Sequence, residues 1–243
     1  MYGVDISILI STIRGDLVVP LIDSINKTKT NYTYEILLYG NVNIVLPNVR
    51  CITYHTPIDT VTAYNMLYRT SVGDCIIGLT DDISLNGNIF NVYDELKSDF
   101  KNSRFKLTTL LSQFGNTILP RELGCNPKGF IAHYPCILRE TIENELCGVM
   151  QNEMFIHHCV DNWLGHYIYE SGEILASSKS CHITYLNEVK LNRSLTNSDH
   201  DEHDREVMRR LVDVMKNNAN ISYNHSFIDF SVKGRTVPKM LKW

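Results

Sequence analysis

Residues 75–82 read CIIGLTDD, an apolar run that ends in a threonine and two adjacent carboxylates. A short continuous apolar run bounded by polar residues is typical of a strand that is buried on both faces of a parallel sheet. In open parallel sheets, ligands bind in the crevice outside the carboxyl ends of the strands. The run therefore predicts a central strand that places Asp81 and Asp82 at a binding crevice.

The sequence upstream of this strand alternates between two hydrophobic periods. Runs at residues 5–12, 34–39 and 49–54 predict strands. Apolar residues at helical spacing predict a first helix that Asp16 caps and a second helix over residues 60–71. Strands that alternate with helices predict a mostly parallel sheet with helices on both faces.

The second half of the chain is less regular. The spacing of apolar residues predicts helices at residues 90–96 and 138–150 and a strand at residues 129–134. Helical spacing returns at residues 160–168 and 199–215, and acidic residues at the start of the last helix suit its dipole. The expected fold is a single α/β domain of Rossmann type with a C-terminal helical extension.

Composition narrows the class of protein. The chain has 243 residues, of which 44% are hydrophobic and 21% charged, with a formal net charge of −4. Such a chain has no general attraction for polyanions, so nucleic-acid partners are not expected. No apolar run reaches the about 20 residues of a transmembrane segment, and no basic segment precedes an apolar one at the N-terminus. The seven cysteines lack a CxxC pair and are expected to be reduced. A soluble cytoplasmic protein is predicted, in a host cell if the source is a virus.

Asp81 and Asp82 have two interpretations. A Mg²⁺ ion takes one or two carboxylates and completes its shell with water and substrate phosphate oxygens. The pair is therefore consistent with a Mg²⁺ or Mn²⁺ ion that holds a diphosphate. Aspartate also caps turns after strands, and position alone leaves that structural role open.

Asp161, within FIHHCVDNW at residues 155–163, is the second candidate for chemistry. A carboxylate in apolar and aromatic surroundings is a candidate general base. It is also a candidate N-cap of the helix that follows. The neighbouring His158 and Trp163 and the more distant His182 have structural interpretations as well, because core packing accounts for most such residues.

Several catalytic signatures are missing from the sequence. GxGxxG, GxxxxGK[ST], HExxH and GxSxG do not occur. Dinucleotide oxidoreductases, P-loop NTPases, zincins and α/β-hydrolases therefore lose support.

Four short motifs follow one another in a recognisable order. They are LIDSI at residues 21–25, EI at residues 35–36, AYN at residues 63–65 and, after Gly73-Asp74, LTDDI at residues 79–83. In this order they resemble the GT-A fold of nucleotide-sugar glycosyltransferases, particularly the inverting family-2-like enzymes. The resemblance extends over residues 5–185.

The resemblance implies a metal-dependent, inverting transfer of a sugar from a nucleoside diphosphate, UDP above all, to a hydroxyl of a saccharide or glycoconjugate. It implies that Asp82 and His182 bind Mn²⁺ or Mg²⁺. Asp81 would contact the donor ribose or the metal, and Asp161 would deprotonate the acceptor. Further donor contacts are expected at Ser11, Thr12, Arg14, Tyr39 and Asn65. Acceptor contacts are expected at His158 and Trp163.

The sequence also departs from the family pattern. Thr80 replaces the first aspartate of the usual triplet, and Tyr64 replaces an arginine. Tyr39 stands near the position where the family often has an acidic residue that contacts the nucleobase or the ribose. Arg14 is either a substitute donor contact or a solvated surface residue. The resemblance implies a domain over residues 1–195, with a donor half at 1–83 and an acceptor half at 84–195, followed by a helix and tail at 196–243.

Two other functions stay open. A non-catalytic carbohydrate- or nucleotide-binding module would accommodate the threonine at position 80. A sugar-nucleotide nucleotidyltransferase would need a glycine-rich basic loop after the first strand, and STIRG at residues 11–15 is short and holds one basic residue. Turnover of a nucleotide sugar separates the enzyme from the binding module.

Overall fold

The computed structural model describes residues 3–12, 14–40, 42, 44–53, 58–110, 113–114, 117–118, 132–157, 159–173, 176–186, 198–217 and 221–224. The strands are β1 (Ile6–Ser11), β2 (Tyr34–Tyr39), β3 (Val49–Ile52), β4 (Cys75–Thr80), β5 (Ile83–Gly87), β6 (Leu107–Thr109), β7 (Gln113–Phe114), β8 (Thr117–Ile118), β9 (Pro135–Leu138), β10 (Ala176–Ser177) and β11 (Cys181–Tyr185). The helices are α1 (Gly15–Lys27), α2 (Thr60–Thr70), α3 (Asn91–Ser98), α4 (Arg139–Glu145), α5 (Val160–Glu170) and α6 (Ser198–Asn217).

The central sheet has seven strands in the order β10-β6-β9-β4-β1-β2-β3. The strands β4, β1, β2 and β3 run parallel, and β9 is antiparallel to both of its neighbours. The chain builds outward from β1 to β3 and then returns to place β4 on the other side of β1, so the strand order reverses at β1. The predicted α/β fold with a mostly parallel central sheet is confirmed.

The hydrophobic core forms two layers, one on each face of this sheet. Successive residues of a strand point to opposite faces. Accordingly, Ile8 of β1 packs in the layer with α1 and α3, and Leu9 packs in the layer with α2, α5 and α6. Helices α2, α5 and α6 therefore cover one face of the strands whose ends form the predicted crevice.

Some element boundaries differ from the sequence predictions. Arg14 is the N-cap of α1 and Asp16 lies in its first turn, so the predicted Asp16 cap is wrong. The middle strand begins at Pro135, whereas residues 129–131 of the predicted strand lie outside the described residues. The helix predicted to reach residue 150 ends at Glu145, because Cys147 and Gly148 adopt the left-handed backbone that terminates helices.

Among the described cysteines the prediction of reduced thiols holds with one exception, and Cys125 lies outside the described residues. Cys51, Cys75, Cys136, Cys147 and Cys181 are free. Cys159 is disulfide-bonded, so the expectation of a reduced thiol is wrong there. Within the described ranges, no helix combines the length and apolar character that crossing a bilayer requires.

Candidate active site

The carboxyl ends of β2, β1 and β4 meet at one edge of the sheet. Ser11 pairs in register with Tyr39 on one side and with Thr80 on the other. The residues that follow these strands are therefore neighbours, although Thr12 and Asp81 are 69 positions apart in the sequence. Because the strand order reverses here, this edge is where an open α/β sheet binds ligands. The structure brings the predicted residues Ser11, Thr12, Tyr39 and Asp81 to this crevice.

Asp81 is held by two residues of the connection between β1 and α1. The Thr12 hydroxyl donates to Asp81 Oδ2, Arg14 Nε lies 3.1 Å from the same oxygen, and an Arg14 terminal nitrogen pairs with Oδ1. The Asp81 side chain is only 3% exposed. Burial disfavours the charge of the guanidinium, but the hydrogen bond to Asp81 and the nearby carboxylates raise the pKa of Arg14 overall. Arg14 is therefore a fixed cation at the crevice and not a solvated surface residue.

Asp82 is the more available carboxylate. Its side chain is 20% exposed, and Arg14 approaches it to 3.8 Å. The Thr80 hydroxyl donates to Asp82 Oδ1 at 2.5 Å. Among the described residues, neither Asp81 nor Asp82 accepts a backbone N–H through its side chain, as a turn cap would. Asp82 thus keeps coordination capacity that Asp81 spends on Thr12 and Arg14.

The two predicted metal ligands lie apart. In the antiparallel pair of β5 and β11, His182 is opposite Asn86, whereas the Leu186 N–H donates to the Asp82 carbonyl at 2.9 Å. Four residues of strand separate His182 from Leu186, which corresponds to about 13 Å. Within the described part of the chain, no three His, Cys, Asp or Glu side chains converge as a metal site. Asp82 alone fits a divalent cation, and only one whose other ligands are water and a bound diphosphate.

A cavity of about 370 Å³ adjoins the crevice. Thr80 contributes to one wall and Asp161 to another. The Thr80 hydroxyl also lies 3.3 Å from the hydroxyl of Tyr134, which lines the same cavity. Its volume is at the lower end of the range for small-ligand sites. A small molecule in the cavity would contact both the strand end that leads to Asp82 and the wall that carries Asp161.

Asp161 lies in the first turn of α5 and pairs with a histidine from the segment before β9. The N-cap of α5 is Cys159, so Asp161 is not the helix cap. Asp161 Oδ1 accepts the Asn162 backbone N–H at 2.9 Å, and Oδ2 pairs with His133 Nε2. The Ala132 N–H donates to the Asp161 carbonyl at 3.0 Å. Backbone and side-chain hydrogen bonds therefore fix the two segments to each other.

The two residues of the pair differ in exposure, and the surroundings shift the pKa of Asp161. Burial raises the pKa of Asp161, but the charge and hydrogen bond of His133 and the backbone N–H groups outweigh it, so the pKa is lowered overall. Asp161 is therefore ionised at neutral pH. The His133 side chain is 46% exposed and the Asp161 side chain 25%.

Left-handed backbone flanks the pair on both segments. Tyr134, with φ of 48°, follows His133, and Cys159, with φ of 60°, precedes Asp161 by two positions. Non-glycine residues adopt such angles uncommonly, and the strain concentrates at functional sites. This geometry supports a functional assignment for the two segments.

Asp204 of α6 fixes the loop that leads to Asp161. Its carboxylate is fully buried and accepts the backbone N–H groups of Ile156 at 2.9 Å and His157 at 2.7 Å. His203 Nδ1 lies 2.9 Å from the same carboxylate. The last described helix is therefore part of the scaffold that positions Asp161.

Replacing Asp204 with alanine is expected to lower the free energy of unfolding by about 2–4 kcal/mol, because two partly buried backbone donors lose their acceptor. Asp204→Asn should cost less, since its amide oxygen still accepts one of them. Denaturant unfolding measures both, and Asp213→Ala is the matched control, because Asp213 is an exposed residue of the same helix. Equal, small losses for Asp204→Ala and Asp213→Ala would contradict the assignment.

Two predicted contacts are structural residues instead. Trp163 is fully buried and its indole N–H donates to the Tyr223 carbonyl at 3.0 Å, so it belongs to the core and not to an acceptor surface. Asn65 is also buried, and its amide both donates to and accepts from the backbone of Gln151. Asn65 therefore holds the backbone of Gln151, which lines the cavity, and its amide is not directed at a donor.

Other predictions and omissions concern single residues. Tyr39 reaches the crevice, but its side chain is buried and its carbonyl accepts the Thr12 N–H at 2.8 Å. His158 lies outside the described residues. His133 and Asp204 are not among the predicted residues. Nothing in the sequence marks the long-range partner of Asp161, and Asp204 is only one of several acidic residues at the start of its helix.

Comparisons with known proteins identify the fold. No family model matches the chain, and no curated protein matches it. The solved structure of S. aureus TarS has a TM-score of 0.61 at 11% identity, over 90% of this chain and 41% of that one. TarS 1-349 in complex with UDP-GlcNAc has a TM-score of 0.59 at 10% identity, over 90% of this chain and 68% of that one. The mannosyltransferase PcManGT from Pyrobaculum calidifontis, in complex with GDP-Man and Mn²⁺, has a TM-score of 0.51 at 10% identity, over 78% of this chain and 58% of that one. This chain thus spans 41% of the TarS chain, and the likeness concerns the fold.

Proposed function

We propose that this protein transfers a sugar from a nucleoside-diphosphate sugar to a hydroxyl of a saccharide or glycoconjugate. The observation that carries the proposal is a crevice with Asp82 and Arg14 that adjoins a cavity lined by Asp161 and His133. The fold supports it, because similar structures hold UDP, UDP-GlcNAc and GDP-Man.

The donor would bind along the strand ends. Arg14 is a fixed cation there, and guanidinium groups bind phosphate oxygens well. Asp82 would hold a Mn²⁺ or Mg²⁺ ion, which neutralises charge on a departing diphosphate. We expect a UDP-sugar as donor, since two of the similar structures contain UDP or UDP-GlcNAc.

The acceptor would occupy the cavity. Its hydroxyl would lose a proton to the basic wall at Asp161 while its oxygen attacks the anomeric carbon. The bond from that carbon to the diphosphate breaks as the new bond forms. With base and leaving group on opposite sides of the sugar, this single displacement inverts the anomeric configuration. We assign the donor site to residues 1–83 and the acceptor site to residues 84–195 together with α6 and the cavity-lining residues Thr60, Tyr64 and Thr80.

A non-catalytic nucleotide- or carbohydrate-binding module is the second candidate function. The pairing of Asp81 with Arg14 favours this candidate, because Asp81 is then not available as a metal ligand. Such a module would bind a nucleotide sugar or a saccharide without releasing a nucleoside diphosphate.

The test is turnover of a panel of UDP-, GDP- and dTDP-sugars, measured as nucleoside diphosphate release with Mn²⁺, with Mg²⁺ and with EDTA. We expect one donor to be turned over with water or an added saccharide as acceptor. EDTA and Asp82→Asn should each lower the rate by about 10²-fold or more, because metal stabilisation of the leaving group is worth several kcal/mol.

The matched control is Glu202→Gln, which removes a carboxylate from an exposed position of α6 and should keep the wild-type rate. EDTA-resistant turnover would overturn the metal assignment alone. Binding of a donor without any release under all metal conditions would favour the binding module.

A further inference from the structure

A second cavity, of about 360 Å³, lies at the opposite end of β4 from the crevice. Asp74 directly precedes β4 and lines this second cavity, whereas Asp81 directly follows β4 at the crevice. The seven residue steps between them correspond to about 23 Å of extended chain. The second cavity is therefore a separate place on the molecule, and none of its lining residues belongs to the candidate active site.

The walls of the second cavity carry more positive than negative charge. Four cations and two carboxylates line it, which leaves a formal charge of +2 on a chain whose formal net charge is −4. Such a local excess attracts anions against the charge of the whole molecule. The cations are Lys97 of α3, Lys101, Lys106 and Arg139 of α4, and the carboxylates are Asp74 and Glu140.

The two lysines at the end of α3 are not neutralised by an ion pair within the described part of the chain. Lys97 Nζ lies 3.7 Å from the centre of the Tyr93 ring, and its hydrogen bond with Tyr93 raises the pKa of Lys97. The Tyr93 hydroxyl in turn donates to Asp74 Oδ2 at 3.4 Å. Lys101 follows α3 and is exposed. Both ammonium groups are therefore charged and open to a ligand.

Arg139 is fixed at the second cavity by neutral groups. Its Nε donates to the Gly73 carbonyl at 2.8 Å, and a terminal nitrogen donates to the Ser71 hydroxyl at 2.8 Å. The Arg139 backbone N–H donates to the Asp74 carbonyl at 2.7 Å, which ties the start of α4 to the start of β4. A carbonyl and a hydroxyl orient the guanidinium without cancelling its charge. Arg139 is therefore a positioned cation with further N–H donors for an anion.

Lys106 differs from the other three cations because it has a carboxylate partner. Lys106 Nζ lies 2.5 Å from Glu140 Oε1. The Glu140 side chain is 53% exposed, and ion pairs of exposed groups contribute little because water screens them. An anion inside the second cavity can therefore compete with Glu140 for Lys106.

We propose that the second cavity binds the phosphate group of a small phosphorylated molecule. A phosphate monoester carries about −1.5 to −2 charges at pH 7, which balances the formal charge of the walls, whereas a carboxylate carries only one negative charge. Guanidinium and ammonium groups are the side chains that bind phosphate oxygens. The four cations surround one cavity and do not form the extended stripe that a nucleic-acid backbone requires. This site does not depend on the proposed function.

The test is calorimetric titration of the full chain with inorganic phosphate and with pyrophosphate, in buffer freed of divalent cations. We expect at least one of them to bind with a Kd of about 1 mM or tighter. The double variant Lys97→Gln/Lys101→Gln should bind about tenfold more weakly, because charge-assisted hydrogen bonds are lost. Both lysines are exposed, so the variant should fold, and thermal unfolding without phosphate checks that it does.

A further variant should change the affinity in the opposite direction. Glu140→Gln should tighten binding about threefold, because it removes the carboxylate that competes for Lys106. A folding defect would not tighten binding, so this variant separates an effect on the anion from an effect on the fold. Lys216→Gln is the matched control, since Lys216 is an exposed lysine of α6, and it should keep the wild-type Kd.

The proposal fails if neither phosphate nor pyrophosphate binds at about 10 mM. It also fails if the double lysine variant keeps the wild-type Kd, and a loss of binding in Arg14→Gln would then assign the anion to the crevice. Flotation with phosphatidylglycerol vesicles tests a lipid headgroup as the source of the phosphate. Vesicle binding that needs Lys97 and Lys101, without binding of free phosphate, would overturn the small-molecule proposal. None of these results depends on turnover of a nucleotide sugar.

Discussion

Replacing Asp161 with asparagine is expected to lower kcat for donor turnover by about 10²–10⁴-fold, the range that a general base contributes. Asparagine has nearly the same shape but no negative charge. It therefore removes the carboxylate that the proposed function assigns as the general base. The measurement is single-turnover release of nucleoside diphosphate.

The donor should still bind to the Asp161→Asn variant, because Arg14, Asp81 and Asp82 belong to the strand ends. Asp213→Asn, an exposed change on α6, is the control for neutralising a carboxylate elsewhere. A kcat within about twofold of the wild type would remove Asp161 from the reaction. Loss of donor binding together with kcat would indicate a folding defect instead.

Replacing Trp163 with alanine is expected to lower the free energy of unfolding by about 3–5 kcal/mol, since a fully buried indole leaves a large cavity. Trp163→Phe is the matched variant. It fills most of the space and loses the hydrogen bond to the Tyr223 carbonyl, which the Asn152 side chain still satisfies at 2.7 Å. The phenylalanine variant should therefore lose clearly less stability than the alanine variant. Denaturant unfolding monitored by two probes measures both.

The same pair of variants tests whether Trp163 binds an acceptor. If Trp163 is only a core residue, Trp163→Phe keeps the KM for the acceptor while the stability falls. If Trp163 stacks on the acceptor, the variant raises that KM and changes the free energy of unfolding little. The second result would return Trp163 to the acceptor site.

The sequence predicted which polar residues lie together at the strand ends, because local signals determine them. Apolar runs of strand length mark β1, β2 and β4, and the polar residues that end each run lie at the same edge once the strands are parallel. The parallel arrangement of the strands is therefore enough to predict that Thr12, Arg14 and Asp81 lie close together. Their identity as a hydrogen-bonded group follows from the register of Ser11 with Thr80.

The surroundings of Asp161 depend on contacts that no local pattern encodes. His133 and Asp161 lie on segments joined by the Ala132 hydrogen bond, and neither segment has a periodicity that reports the other. The position of His182 depends on the register of β11 with β5, and a strand register is set by pairing across the sheet. Trp163 has helical spacing that fits a core face and an exposed face alike until the packing of α5 is known.

The hydrogen bonds of Asp204 to the Ile156 and His157 amides have a consequence for how the protein opens. These amides can exchange with deuterium only when the acceptor that covers them moves away, so their protection reports the docking of α6. We expect both amides to exchange together with the buried positions of α6, such as Val207 and Leu211. The backbone amides of β1 and β4, whose side chains are buried in both layers, should exchange far more slowly. The loop before Asp161 would then open together with α6 as one cooperative unit, while the crevice at the strand ends stays closed.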